Sequence, residues 1–301
     1  MFTRKLTTLN FEGSTIRILT VKGDQVQAWH TLNIPQEHMS QGLVHHPPAV
    51  AKRLSSAVKK IQASTRKVIT SVTDQRSVHR LLVLPAIDEK LLDETVRRKA
   101  KQELAIPIDE VDLSWRIVNR SKDKYQIYVL AIPKQIIDRQ VLTLGQIGAK
   151  PRRMTPKPLA LMQVVNRRQA LIINLEEHSM AVAIVVGGIP VIVRTVPLES
   201  GELSREAKLD LLVQELARTT KFYNESNKQN RLPEDTPLFP TGALFETLAV
   251  EERLEESESL LSRLQERANY PVESFNPHLK APVQLSLTAY AVNLGLALEA
   301  D

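Results

Sequence analysis

Two short stretches of this 301-residue chain place the same pair of polar residues at the same spacing: Asn10-Phe11-Glu12 and Asn174-Leu175-Glu176. A carboxylate two residues after an amide, at a turn between apolar segments, offers oxygens to a hard cation such as Mg²⁺. Taken singly, each glutamate would be read as a solvated surface residue; their matched occurrence asks for an explanation. His178 follows Glu176 and Glu177 and precedes Ser179, an order that invites an acid–base group or a crude nucleophile pair. Neighbouring strand residues point to opposite faces, so His178 and Ser179 do not readily meet, and a surface turn is the better reading. His45-His46-Pro47-Pro48 lacks metal-ligand spacing and reads as a loop or helix lead-in. VEERLEESESLLSRLQERAN (250–269) sets carboxylates before Arg263 and Arg267 at helical spacing, as on a solvated helix face, with a partner-binding helix as the minority reading.

The elements that must carry these residues repeat as well. A shift of 164 residues, without a gap, pairs Asn10 with Asn174, Glu12 with Glu176, Gly23 with Gly187 and Thr31 with Thr195. Each copy reads as three strands, 6–12, 15–21 and 25–32, then 170–176, 179–186 and 189–196. Lys22-Gly23-Asp24 and Gly187-Gly188 supply tight hairpin turns. AVAIVVGGIPVIVRTV in the second copy is almost wholly apolar and β-branched, as a buried sheet requires. A duplicated lobe follows from this pattern.

Between the copies lies a different module. Strands over 68–74 and 78–85 precede a helix from about Glu89 to Ala105. Asp88 caps that helix, Leu92, Val96, Ala100 and Leu104 form its apolar stripe, and Pro107 stops it. Strands over 112–118 and 125–133 and a helix over about 134–148 complete the module. Beyond the second copy come a helix over 203–223, a short strand before PTGAL, the charged helix over 250–269 and an apolar helix over 285–299.

A chain of this length fits two lobes better than one core. Its 43% hydrophobic and 25% charged residues place it with ordinary globular proteins. The absence of cysteine excludes disulfides, thiol nucleophiles and thiolate metal sites. No apolar run approaches the ~20 residues of a membrane span. The start, MFTRKLTTLNFEG, lacks the apolar core of a signal peptide, so a cytoplasmic location is expected. Net charge is +6, with basic clusters at Arg97-Arg98-Lys99, Lys150-Pro151-Arg152-Arg153 and Arg167-Arg168. Solvated basic faces come first, then the anionic inner face of a membrane. No aromatic residue interleaves with the clusters as a stacking platform, which disfavours nucleic acid.

Four segments carry a family resemblance: LLVLPAIDEKLLDETVRRKAKQELAIPIDEVDLSWRIV (81–118), YQIYVLAIPKQIIDRQVLTLGQIGAKPRRM (125–154), SFNPHLKAP (274–282) and AYAVNLGLALEA (289–300). They resemble PilM, the actin-like family of type IV pilus assembly, and the likeness covers nearly the whole chain. It implies an α/β fold, actin-like and ribonuclease H-like in its duplication, with two lobes and an inserted small α/β subdomain. The first lobe would comprise 1–72, 150–169 and 283–301, the inserted subdomain 73–149 and the second lobe 170–282. FtsA, a division protein with a related inserted subdomain, is a weaker match; it ends in a membrane-binding amphipathic tail, where this chain stops at LGLALEAD.

The resemblance also implies a task. PilM-like proteins sit under the inner membrane and bind the short cytoplasmic N-terminal tail of the membrane protein PilN, in a groove between the first subdomain and the inserted one. Other pilus platform proteins are further candidate partners, and nucleic acid is not expected. Leu104, Ile106, Pro107 and Ile108 are the candidate groove residues, with core packing of the inserted subdomain as the alternative.

In nucleotide-binding relatives each strand-turn carries Asp-x-Gly. The aspartate holds the metal or its waters, and the glycine admits phosphate to backbone N–H groups. Here Asn10 and Asn174 stand for the aspartates, and Glu12 and Glu176 for the glycines. Asparagine keeps a neutral oxygen, while glutamate adds bulk and a negative charge where phosphate would sit. Two like charges ~4 Å apart in an effective dielectric of ~20 repel by about 4 kcal/mol. That is roughly three orders of magnitude in affinity if nothing relaxes. Gly13 and Ser14 would partly restore a cradle if the first turn shifted by one residue. PTGAL keeps only Gly242 of the relatives' multiple-glycine turn near the adenosine. Glu215, Arg218 and Lys221 lie on a helix where relatives contact base and ribose. The expectation is a scaffold with no catalytic residue, metal or cofactor, and not an ATPase. An ATP-binding switch or weak ATPase, with Glu12 and Glu176 rearranged as metal ligands, is the disfavoured alternative. A polymerising FtsA-like filament is the second.

Overall fold

The computed structural model of the chain describes residues 5–74, 76–104, 107–198, 203–245 and 260–299. They form two compact units, Asp74–Asp138 and a larger one made of Met1–Thr73 with Arg139–Asp301.

The larger unit opens with an antiparallel meander, β1 (Leu6–Glu12), β2 (Thr15–Lys22) and β3 (Gln25–Asn33). A short hairpin, β4 (Met39–Ser40) and β5 (Leu43–Val44), leads to α1 (Pro47–Lys60), and β6 (Val68–Val72) then runs parallel to β1. The histidine pair is a helix lead-in: His46 Nδ1 accepts from the Ala49 N–H at 3.4 Å, and Pro47 and Pro48 fill the first helical positions.

The smaller unit is a three-stranded antiparallel sheet under one helix. β7 (Val78–Pro85) is followed by α2 (Leu92–Glu103), β8 (Val111–Arg120) and β9 (Lys124–Pro133), in the spatial order β7-β9-β8. Asp88 accepts from the Lys90 N–H at 2.9 Å and so starts a 3-10 turn ahead of α2. The predicted stripe of Leu92, Val96, Ala100 and Leu104 is buried on the sheet. Within it, His79 hydrogen-bonds the Tyr128 hydroxyl. Burial holds His79 below the usual histidine range, with Asp74 acting against it. A depressed folded-state value contributes stability above the ordinary histidine pKa that is lost as pH falls through the lower, folded one. Hydrogen-exchange protection of β7 and β9 should therefore weaken as pH falls below neutrality in the wild type. In a His79→Phe variant the same profile should be flat; an identical pH dependence in both would remove His79 as its cause.

Back in the larger unit, α3 (Lys134–Gln146) bridges out of the smaller one, and β10 (Pro151–Pro156) joins β6, giving the order β10-β6-β1-β2-β3. The prolines framing β10 hide it in the sequence, yet an edge strand tolerates them. After α4 (Lys157–Val165) comes the second sheet: β11 (Ala170–Leu175), β12 (Ser179–Val186), β13 (Ile189–Pro197) and, after α5 (Arg205–Ser226), β14 (Leu238–Thr241). Its order is β13-β12-β11-β14, with β14 parallel to β11 as β6 is to β1. The repeat in the sequence is thus a repeat of topology.

Period-two alternation assigns the faces. Leu9, Phe11, Ile16 and Ile18 point outward to Val50 and Leu54 of α1 and Leu144 of α3. Ile173, Val182 and Ile184 point outward to Leu209, Leu212 and Leu216 of α5. The other faces of both sheets share one core with α4 and the last helix, including Leu19, Ile172, Val185 and Leu161. The helical residues 260–267 (α6) lie against α5 through Leu260 and Leu264. Residues 250–259 of the expected charged helix fall outside the described residues. Arg263 and Arg267 pair with Glu206 of α5 at 2.6 and 3.5 Å, and Arg267 also pairs with Asp210, so both cations bind the neighbouring helix.

The closing helix, α7 (Ala291–Leu298), is shorter than the sequence suggests. Ser286 accepts from the Ala289 N–H at 3.2 Å, and its carbonyl accepts from the Tyr290 N–H at 3.1 Å, which holds the lead-in as turns. Gly295 lets α7 touch α4: a Cβ there would stand 1.8 Å from the Ala160 carbonyl oxygen. Among the described residues, no helix is long and apolar enough to cross a membrane.

Candidate functional site

The same alternation that sends Leu9 and Phe11 outward turns Asn10 and Glu12 inward, towards the layer between the sheets. Asn174 and Glu176, the residue just after β11, do the same in the second copy. Glu176 is gripped by a guanidinium fork, with Arg17 Nη1 donating to Oε1 at 2.9 Å and Nη2 to Oε2 at 2.7 Å. Arg17 belongs to β2, so this bidentate pair joins the first sheet to the turn of the second. Glu12 answers it: its Oε1 accepts from Ser179 Oγ, the first residue of β12, at 2.8 Å. Its Oε2 takes the ammonium of Lys157, the first residue of α4, at 2.6 Å. Each turn carboxylate is therefore held by a side chain of the opposite copy, and Lys157 balances the second charge.

All four charged groups are only 3–6% exposed. Burial drives the Glu176 carboxyl above the usual carboxylate range, Arg17 pulls it back, and Glu12 pushes it up again. Burial works to lower Arg17, but Glu176 and then Glu12 outweigh it, so the guanidinium stays charged. Two cations and two anions make a neutral, dry quartet at the seam of the sheets. Buried charges persist only when paired in this way.

These contacts correct three expectations. Neither glutamate is a solvated surface residue. Neither presents an uncompensated charge to an empty turn, so the bare like-charge repulsion does not describe them; bulk and an already occupied carboxylate stand there instead. Ser179 is not part of an exposed turn either, being buried and giving its hydroxyl to Glu12.

The asparagines serve the backbone scaffold. Asn10 Oδ1 accepts from Ser71 of β6 at 2.8 Å, and Asn174 Oδ1 accepts from Thr241 of β14 at 3.1 Å. Each amide thus ties its strand to the parallel neighbour, in the same manner in both copies. Asn10 Nδ2 is buried with no acceptor among the described residues. Gly13 turns the chain, and Ser14 lines a polar recess of about 220 Å³ with Gln41 and His178. Gly242 is required by packing: its φ is +105°, and a Cβ would stand 2.2 Å from the Leu175 carbonyl oxygen. Glu215 is buried, paired with Arg194 and accepting from Thr219 Oγ1 at 3.2 Å. Arg218, 3.8 Å from Glu215, and Lys221 are exposed on α5. Arg17 and Lys157 are the members of the site that sequence reasoning did not single out; Ser179 figures there only as a partner of His178.

A family model described as type IV pilus assembly protein PilM matches residues 14–206. The chain belongs to the PilM family. Among solved structures it is similar to a chain of a PilM-PilN type IV pilus biogenesis complex, with a TM-score of 0.78 and 20% identity over 98% of each chain. It is similar to the cytoplasmic domain of EpsL, an inner membrane component of the type II secretion system of Vibrio cholerae, with a TM-score of 0.54 and 12% identity over 99% of this chain and 94% of that one. A Bacteroides thetaiotaomicron protein with an actin-like ATPase fold matches at a TM-score of 0.50 and 10% identity, over 98% of this chain and 96% of the other. At such identities the likeness is one of fold, and the fold is actin-like. No curated protein matches the chain.

The PilM-like groove candidates divide. Leu104 is buried in the core of the smaller unit, Ile108 packs half-buried against that core, and Pro107 is exposed. Ile106 lies outside the described residues. Ile108, Val111 and Leu113 line a groove of about 480 Å³ on this unit, rimmed by Arg98, Lys101 and Asp109.

Proposed function

We propose that the chain is a scaffold of type IV pilus assembly, or of a related secretion or filament system. It docks the short cytoplasmic N-terminal tail of a PilN-like membrane protein at the inner face of the cytoplasmic membrane and hydrolyses no ATP. Family membership and the likeness to a chain of the PilM-PilN complex support the choice of partner. One observation carries the loss of nucleotide chemistry: Glu12 and Glu176, standing where nucleotide-binding relatives have glycine, are each buried against a cation of this same chain. A Mg–nucleotide does not fit these turns. Its phosphates would have to displace two neutralised carboxylates, and its metal would meet amide oxygens already engaged by Ser71 and Thr241. The quartet does by itself what a bridging ligand does in relatives, joining the two halves across the seam. What remains is recognition of an extended tail, which needs an apolar slot rather than reacting groups.

The test is a titration of a synthetic peptide carrying the tail of a PilN-like partner into the full chain, with and without Mg-ATP. Micromolar binding that ignores Mg-ATP, and that Ile108→Asp weakens by roughly tenfold, is expected, the loss of one well-packed apolar contact. Binding that appears only with Mg-ATP would replace the scaffold by a nucleotide switch, and no binding at all would remove the tail as partner.

A further inference from the structure

Charge is distributed very unevenly along this chain. Residues 1–72 and 139–169 carry 17 Lys and Arg against three carboxylates, Glu12, Asp24 and Glu37. Residues 73–138 are nearly balanced, at 12 against 11, and 170–301 are acidic, at 11 against 20. Part of the basic excess is concentrated at one edge of the first sheet. In the spatial order β10, β6, β1, β2, four neighbouring strands each carry a lysine at the same end. Pro151 of β10 and Thr7 of β1 both lie opposite Val68 of β6, and Leu6 lies opposite Val21 of β2. Lys150, Lys67 and Lys5 immediately precede their strands, and Lys22 closes β2. With strands ~4.8 Å apart, the row is roughly 15 Å long.

More cations join it. The Lys5 ammonium donates to the Gln62 carbonyl at 2.8 Å, which brings the end of α1, with Lys59 and Lys60, to this edge. Arg66 lies in the same connection, and Arg152 is on β10. Lys22, Lys59, Lys60, Arg66, Lys150 and Arg152 are exposed, and none has an ion-pair partner among the described residues. The one carboxylate at the neighbouring hairpin, Asp24, is already held by Lys280 at 2.8 Å. The edge lies at the far end of β1 and β2 from the Glu12 turn, clear of the seam.

We infer that this edge of the first sheet rests on an anionic phospholipid surface. The cations are mostly lysines, point charges that impose no bidentate geometry, and they are set along the blunt end of a sheet rather than in a cleft. No aromatic side chain stands among them to stack a base. A broad row of unpaired ammonium groups fits a plane of phosphate headgroups, and its attraction falls with ionic strength. The choice of lipid as the anion rests on the membrane-proximal function proposed above. Its test contains no partner tail, so the two fail separately.

The full chain should co-sediment with phosphatidylcholine vesicles that contain phosphatidylglycerol, not with phosphatidylcholine alone, and high salt should release it. Each cation near an anionic surface is worth roughly fivefold in partitioning, so Lys22→Glu/Lys59→Glu/Lys60→Glu/Lys150→Glu should lose at least about a hundredfold. Lys90→Glu/Lys122→Glu/Lys124→Glu/Lys228→Glu makes the same change in net charge elsewhere and should bind like the wild type. Circular dichroism of both variants should match the wild type, the control that each is folded. Failure of the wild type to bind anionic vesicles at low salt overturns the inference. So does an equal loss in the two variants, or retention of nucleic acid where vesicles are ignored.

Discussion

Replacing Arg17 with methionine should lower the free energy of unfolding by about 3–5 kcal/mol, the usual cost of stripping one partner from a buried ion pair. The guanidinium fork is the direct bonding partner of both Glu176 oxygens, and without it a carboxylate stays dry and unpaired between two sheets. Removing both members, as Arg17→Met/Glu176→Leu, should recover most of the loss, because a well-packed apolar pair often equals a buried salt bridge. The sign of the pH dependence follows from Glu176. In the single variant burial and Glu12 still raise its carboxyl, and of the lowering influences only the smaller one of Lys157 remains. A raised folded-state pKa favours the folded state at low pH, so the deficit should shrink as pH falls towards the carboxylate range. Urea unfolding followed by circular dichroism reads all of this. A loss under ~1 kcal/mol for Arg17→Met would mark the pair as no more than an exposed one.

The second large effect is a gain. Glu12→Gly/Glu176→Gly should bind Mg-ATP under conditions where the wild type does not. The change removes two side chains from the turns and takes Glu176 from Arg17 and Glu12 from Lys157, leaving two buried cations beside the vacated space. Phosphate oxygens would satisfy those cations, so Mg-ATP should also raise the melting temperature of the variant, as any ligand specific for the folded state does. Glu12→Gln/Glu176→Gln separates bulk from charge: it removes the anions but keeps the turns filled, and binding should stay weak. If the glutamates were instead rearranged metal ligands, the glycine variant would bind Mg-ATP less well than the wild type.

The duplication is legible in the sequence because it depends on local rules. Gly23 and Gly187 mark hairpins, and strict alternation distinguishes Leu9 and Phe11 from Asn10 and Glu12. The partners of the glutamates are a different kind of fact. Arg17 lies 159 residues from Glu176, and Lys157 lies 145 from Glu12, and no local period connects them. One signal was available. TIRILTV sets an arginine at an inward position of a strand otherwise fit only for burial, and a buried charge demands a countercharge. The corresponding position of the second copy is Ala181, so the repeat itself flags Arg17 as the departure. Strand β10 and helix α4 are obscured by Pro151, Pro156 and Pro158, which read as loop until their edge and first-turn positions are known.

Calorimetric titration of Mg-ATP into the folded wild-type chain bears on the seam without any mutation. With Glu12 and Glu176 buried against Lys157 and Arg17, no heat of binding should be seen up to millimolar nucleotide. A micromolar dissociation constant would mean that the quartet opens readily to admit phosphate, and the chain would then be a nucleotide switch rather than a fixed scaffold.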